Sequence, residues 1–81
     1  MNIGDYVILK PYEDIKQTAA YAYFGFNDTM RRYVERCSLR RITRVYELGS
    51  HTAISLLESE YNWSPEWVQT HLGQELEGFT I

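Results

Sequence analysis

Cysteine is almost missing: Cys37 is the only one in 81 residues. That excludes an internal disulfide and leaves no cysteine pair from which to start a zinc site. A secreted domain of this size normally carries disulfide staples, so the shortage points to a reducing compartment. Neither histidine lies near Cys37 in sequence to serve as its base. The expectation for this thiol is a small buried apolar side chain. Long hydrophobic runs are also missing, and nothing approaches the roughly 20 residues that span a bilayer. The opening MNIGDYVILK has no basic leader, and Gly4-Asp5 breaks its apolar stretch. It does not read as a signal peptide, and a cytoplasmic protein is expected. Repeats, low-complexity tracts and linkers are lacking. A chain this short makes one small domain, residues 1–81, with a thin stability margin. No glycine-rich phosphate loop, nucleophile elbow or metal-ligand cluster occurs. Neither enzymatic activity nor a cofactor is expected.

Basic residues are absent after Arg44, and this absence exposes what the chain does have. Six of its eight basic residues are arginines between positions 31 and 44: Arg31, Arg32, Arg36, Arg40, Arg41 and Arg44. Set against Asp28 and Glu35 they give the segment 28–44 a charge of +4, within a chain of net charge −3. Residues 45–81 carry −6. A planar guanidinium bonds oxyanions in pairs and stacks on rings and bases. The segment is therefore a candidate contact for an acidic protein surface or a phosphate. The same arginines also have a structural use open to them, as partners of Glu47, Glu58, Glu60 and Glu66. General duplex-DNA binding is disfavoured by the negative net charge, though a narrow arginine stripe still suffices for local contact with nucleic acid.

Aromatic residues are plentiful: seven Tyr, three Phe and two Trp, enough to anchor the core of a short chain. Asn2 to Lys10 reads as a strand, Tyr6-Val7-Ile8-Leu9, after a Gly4-Asp5 turn. Pro11 to Asn27 reads as a long semi-ordered loop, ending in the aromatic run Tyr21 to Phe26, for which a strand is the alternative. Its rings Tyr21, Tyr23 and Phe24 are the second candidate contact, for a peptide or stacked bases; the alternative is that they seal one end of the core. Asp28 caps a short helix near 28–37, with Met30, Tyr33, Val34 and Cys37 on one face. A hairpin follows over 39–57, with its turn at Leu48-Gly49-Ser50 and either a bulge or an early start in its first strand. His51 falls beside that turn, as an exposed residue. Tyr46, Tyr61 and Trp63 are expected in the core. Ser64-Pro65-Glu66-Trp67 reads as a helix start, continuing as a helical turn near 64–72 that Gly73 ends. His71 then lies on that turn with Glu75 beside it. The tail 74–81 is acidic and ends in Phe79 and Ile81, either docked on the core or loose.

Three stretches resemble small SH3-like β-barrel proteins, many of them from phages and mobile elements. They are Gly4-Asp5-Tyr6-Val7-Ile8-Leu9, the segment FNDTMRRY (26–33) ahead of a strand centred on Ile42, and Tyr61-Asn62-Trp63-Ser64-Pro65-Glu66-Trp67. The likeness spans residues 3 to 70. It departs from the pattern after Tyr33, where Arg36-Cys37-Ser38 replaces an expected glycine and leaves room for a true helix. The resemblance implies a mainly β fold, an SH3-like barrel, and a binder or adaptor without a reaction of its own. The leading expectation is thus a non-catalytic interaction or regulatory module, phage-encoded and docking on a host protein assembly. A nucleic-acid binder using the arginines comes second, and a homodimer through exposed aromatics third.

Overall fold

Tyr6-Val7-Ile8-Leu9 forms strand β1 (Tyr6–Leu9), with Val7 and Leu9 buried and Tyr6 and Ile8 half-buried. A strand covered on both faces belongs inside a sheet, and β1 does lie between two neighbours. The structure is a computed structural model, and it describes residues 1–74. Its four strands run antiparallel in the order β3-β2-β1-β4, a mainly β domain whose sheet does not close on itself. None of the described helices is long and apolar enough to cross a membrane.

Between β1 and β2 the chain makes three helices: α1 (Tyr12–Ile15), α2 (Ala20–Tyr23) and α3 (Asp28–Arg36). The long semi-ordered loop expected over 11–27 is instead two single helical turns. Ile15 and Ala20, both fully buried, fix them to the core. α3 buries Met30, Tyr33 and Val34, the face its spacing predicts. Its cap is Asn27, whose side chain accepts from the Met30 N–H at 3.0 Å, rather than Asp28, which supplies the first-turn acid. Cys37 does not extend the buried face. The helix ends at Arg36 and Cys37 is extended (φ −163°), so the seven-residue spacing no longer holds and its thiol is exposed.

Strands β2 (Leu39–Leu48) and β3 (His51–Leu56) form the expected hairpin. Gly49 turns it at φ +64°, a conformation that favours glycine. Past β3 the chain returns along it, and Trp63 bridges to Ile54. Ser64 caps the next turn by accepting from the Glu66 N–H at 3.1 Å. That turn is a 3-10 helix only three residues long, Pro65–Trp67. The helical turn expected to run to residue 72 stops here, because Val68–Gly73 is strand β4 and pairs with β1. The capping signal is common to both outcomes, and β-branched Val68 and Thr70 serve the strand well. His71 accordingly lies on β4 and not on a helix. Residues 75–81, with Glu75, Phe79 and Ile81, lie outside the described residues.

The core gathers Val7, Leu9, Ile42, Ile54 and Leu56 from the strands, and Met30 and Val34 from α3, around Trp63 and Trp67. Both indoles are fully buried, and both N–H groups are satisfied: Trp63 donates to Ser59 Oγ at 2.9 Å and Trp67 to Thr18 Oγ1 at 2.8 Å. A buried ring with a bonded polar tip contributes its whole apolar area without a desolvation penalty. Tyr61 packs half-buried against this core, whereas Tyr46 stays outside it.

Candidate interaction surface

The fold divides the six arginines. Arg31 pairs with Glu35 at 3.5 Å and lies 4.3 Å over the Tyr12 ring, which ties α1 to α3. Arg40 stacks 3.6 Å from the centre of the Tyr33 ring and donates to the Tyr33 carbonyl at 2.6 Å and the Cys37 carbonyl at 2.9 Å. It thereby satisfies carbonyls at the end of α3, where a cation also meets the negative pole of the helix. Arg32 and Arg36 are exposed on α3, with no ion pair or hydrogen bond among the described residues. Arg41 and Arg44 are exposed on β2. None of the six pairs with Glu47, Glu58, Glu60 or Glu66 within the described residues. Glu47 instead accepts from the Thr52 hydroxyl at 3.1 Å.

Arg41 and Arg44 are three apart, and in a regular strand they would face opposite ways. The register shows why they do not. Ile42 stands opposite Leu56, while Arg44 stands opposite Ser55, so Thr43 is an extra residue in a bulge. Ile42 and Leu56 point into the core. Arg41 precedes Ile42, and Arg44 shares a side with Ser55, so both arginines face outward. Tyr6, opposite Arg41, and Leu39, opposite Ile8, occupy the same outward side of the sheet. Each guanidinium lies over a tyrosine of that face: Arg41 is 5.4 Å from the Tyr6 ring and Arg44 is 5.0 Å from the Tyr46 ring. Arg41 also donates through Nε to the Gly4 carbonyl at 3.3 Å.

Leu57 completes the face. Its N–H donates to the Arg41 carbonyl at 2.9 Å, and its own carbonyl accepts from the Tyr33 hydroxyl at 2.6 Å. Burial raises the pKa of that hydroxyl above the usual tyrosine value. With its backbone held at both ends, Leu57 leaves its side chain 50% exposed, and Leu39 is 41% exposed. The next residue, Glu58, is the one non-glycine with positive φ (68°) among the described residues. Tyr6, Leu39, Arg40, Arg41, Leu57 and Glu58 line a shallow depression of about 160 Å³. The motif reading missed Tyr6, Leu39 and Leu57. The doublet Leu56-Leu57 carried a signal of direction only, since neighbours in extended chain point to opposite faces.

The aromatic segment lies elsewhere. Tyr21 stacks on Phe26 at 5.3 Å, and Phe24 meets Trp67 edge-on at 5.7 Å. These rings, with Phe26, pack against the core. Tyr23 is 46% exposed, but its ring lies 3.8 Å from His51 and its hydroxyl donates to the Leu48 carbonyl at 2.9 Å. His51 is therefore stacked and half-buried instead of free at the turn. Neither histidine meets Cys37 in a hydrogen bond; the thiol donates to the Leu39 carbonyl at 3.4 Å. His71 Nε2 lies 2.5 Å from the buried carboxylate of Asp5. The backbone N–H of Asn2, and then His71, hold the Asp5 pKa below the ordinary carboxylate value. That pair fastens the turn before β1 to β4. Among the described residues no three His, Cys, Asp or Glu side chains are grouped to hold a metal ion. In comparisons with known proteins, the chain matches no family model, no curated protein and no solved structure.

Proposed function

We propose that this chain is a non-catalytic protein-interaction module that docks an acidic partner surface on the outward face of its sheet. It would act as an adaptor or inhibitor on a larger assembly. One observation carries the reading: two exposed leucines on a fixed backbone lie beside two arginines that have no carboxylate partner among the described residues. An apolar centre with arginines at its border is the usual composition of a protein-binding patch. The tyrosines beneath the guanidinia reduce the side-chain freedom lost on docking. The same reading takes the fold as an SH3-like barrel. Three features support this: the bulge at which β2 passes from β1 to β3, the Trp63–Ile54 bridge beyond β3, and the 3-10 turn before the last strand.

The test is affinity capture from a cell extract with three forms of the chain. The unmodified protein and an Arg32→Glu, Arg36→Glu variant should retain the same partners. An Arg41→Glu, Arg44→Glu variant should lose them. Identical partners on all three would overturn the reading. Two Arg–Tyr pairs on a sheet face also suit stacked bases, which makes single-stranded nucleic acid the second reading. Absence of binding to single-stranded DNA or RNA at low salt removes it.

A further inference from the structure

The outward face has a linear order that restricts what fits it. Leu39, Arg41 and Arg44 follow one another along β2, and Leu57 lies beside Arg41. Arg41 has its Nε committed to the Gly4 carbonyl, so its two terminal nitrogens are the edge left to a partner. A guanidinium edge of this kind suits a carboxylate, which accepts two parallel hydrogen bonds. Residues two apart in a strand are about 6.6 Å apart, so Leu39 and Arg41 match the same-side spacing of an extended peptide. Arg44 stands on the same side beyond the bulge, its guanidinium over the Tyr46 ring.

We propose that the outward face binds an extended acidic peptide segment in which an apolar side chain and two carboxylates occupy alternate positions. The apolar side chain enters the depression at Leu39 and Leu57, the first carboxylate meets Arg41, and the second meets Arg44. Charge complementarity selects this occupant, since among the described residues the face offers two guanidinia against the single carboxylate of Glu58 at the rim of the depression. The proposal rests on the protein-interaction reading above and deepens it from an acidic surface to an acidic strand.

The test is fluorescence anisotropy of a labelled peptide, Ser-Leu-Ser-Glu-Ser-Glu-Ser, titrated with the whole chain. Saturable binding is expected, and it should weaken as salt rises from about 50 to about 300 mM. Arg41→Glu with Arg44→Glu should weaken it by at least about tenfold. Leu57→Ser should weaken it by about fivefold. Arg32→Glu with Arg36→Glu should leave it unchanged, and circular dichroism verifies that each variant folds. A peptide with Leu, Glu and Glu adjacent should bind more weakly than the alternating one. Failure of the alternating peptide to bind the unmodified chain, or equal binding of both peptides, overturns the proposal. If the peptide fails while extract partners still depend on Arg41 and Arg44, the face docks a folded acidic surface, and only this inference falls. If those partners ignore Arg41 and Arg44, the broader reading fails with it.

Discussion

At the scale of single residues, Arg40 and Arg41 are neighbours in sequence with different tasks. Arg40 closes the end of α3 through two carbonyls and a ring. Arg40→Ala should therefore destabilise the fold by about 1–3 kcal/mol in urea denaturation. Arg32→Ala, with nothing bonded to it, should stay within about 0.5 kcal/mol. Equal losses would contradict the assignment. Asp5 gives a pH signature. Its pKa is lower in the folded chain than in the unfolded one, so between those two values the unfolded state binds more protons. Its stabilising contribution is complete above the unfolded carboxylate pKa, about 3.9, and is lost as pH falls through the folded value. Asp5→Asn should flatten the acid limb of a stability-versus-pH curve. The arginine cluster itself was legible in the sequence, but the division of labour within it was not. That division depends on one extra residue in β2 and on where α3 ends, and neither is written in charge or spacing.

At the scale of elements, β1, α3 and the hairpin follow from periodicity and turn chemistry, and their bounds match closely. The two single turns α1 and α2 were illegible because one turn has no period to detect. β4 was misread for a different reason. Its partner β1 lies some 60 positions earlier, and a Ser-Pro-Glu start serves a 3-10 turn as well as an α-helix. The link between α2 and the hairpin has its own test. Tyr23 lies so close over Gly49 that a β-carbon there would collide with its hydroxyl, and Gly49 also has positive φ. Gly49→Ala should lower stability by at least about 1 kcal/mol, as strain and the lost contact combine. Tyr23→Phe, which loses only the hydrogen bond to Leu48, should cost less in the same thermal melt. The opposite ranking would show that the hydroxyl moves aside for the added carbon and that the hydrogen bond outweighs the strain at Gly49.

At the scale of the molecule, a basic face sits on a chain of net charge −3. Association with an acidic partner should be faster at low salt, whereas the affinity supplied by Leu39 and Leu57 should change little with salt. Self-association is the competing use of an exposed apolar pair. Light scattering at high concentration should return the monomer mass of 9.6 kDa. A value near twice that, abolished by Leu57→Ser, would instead assign the outward face to a second copy.

The bulge at Thr43 also bears on which changes of length the gene can tolerate. Side chains alternate along a strand, so losing one codon normally inverts every position between the loss and the nearest fixed pairing. Loss of Arg41 would move Leu39 and Arg40 to opposite sides, unseat the α3 closure and erase the face. Loss of Thr43 removes the residue that has no opposite number: Ile42 would still meet Leu56, and Arg44 would still meet Ser55. Within β2 there is thus one position where a codon deletion preserves both the ladder and the outward face, at the expense of a bend. A deletion scan of residues 39–48 read by thermal melting should show tolerance at Thr43 and at Arg44, whose place opposite Ser55 Thr43 would take, and only the loss of Thr43 keeps Arg44 on the face.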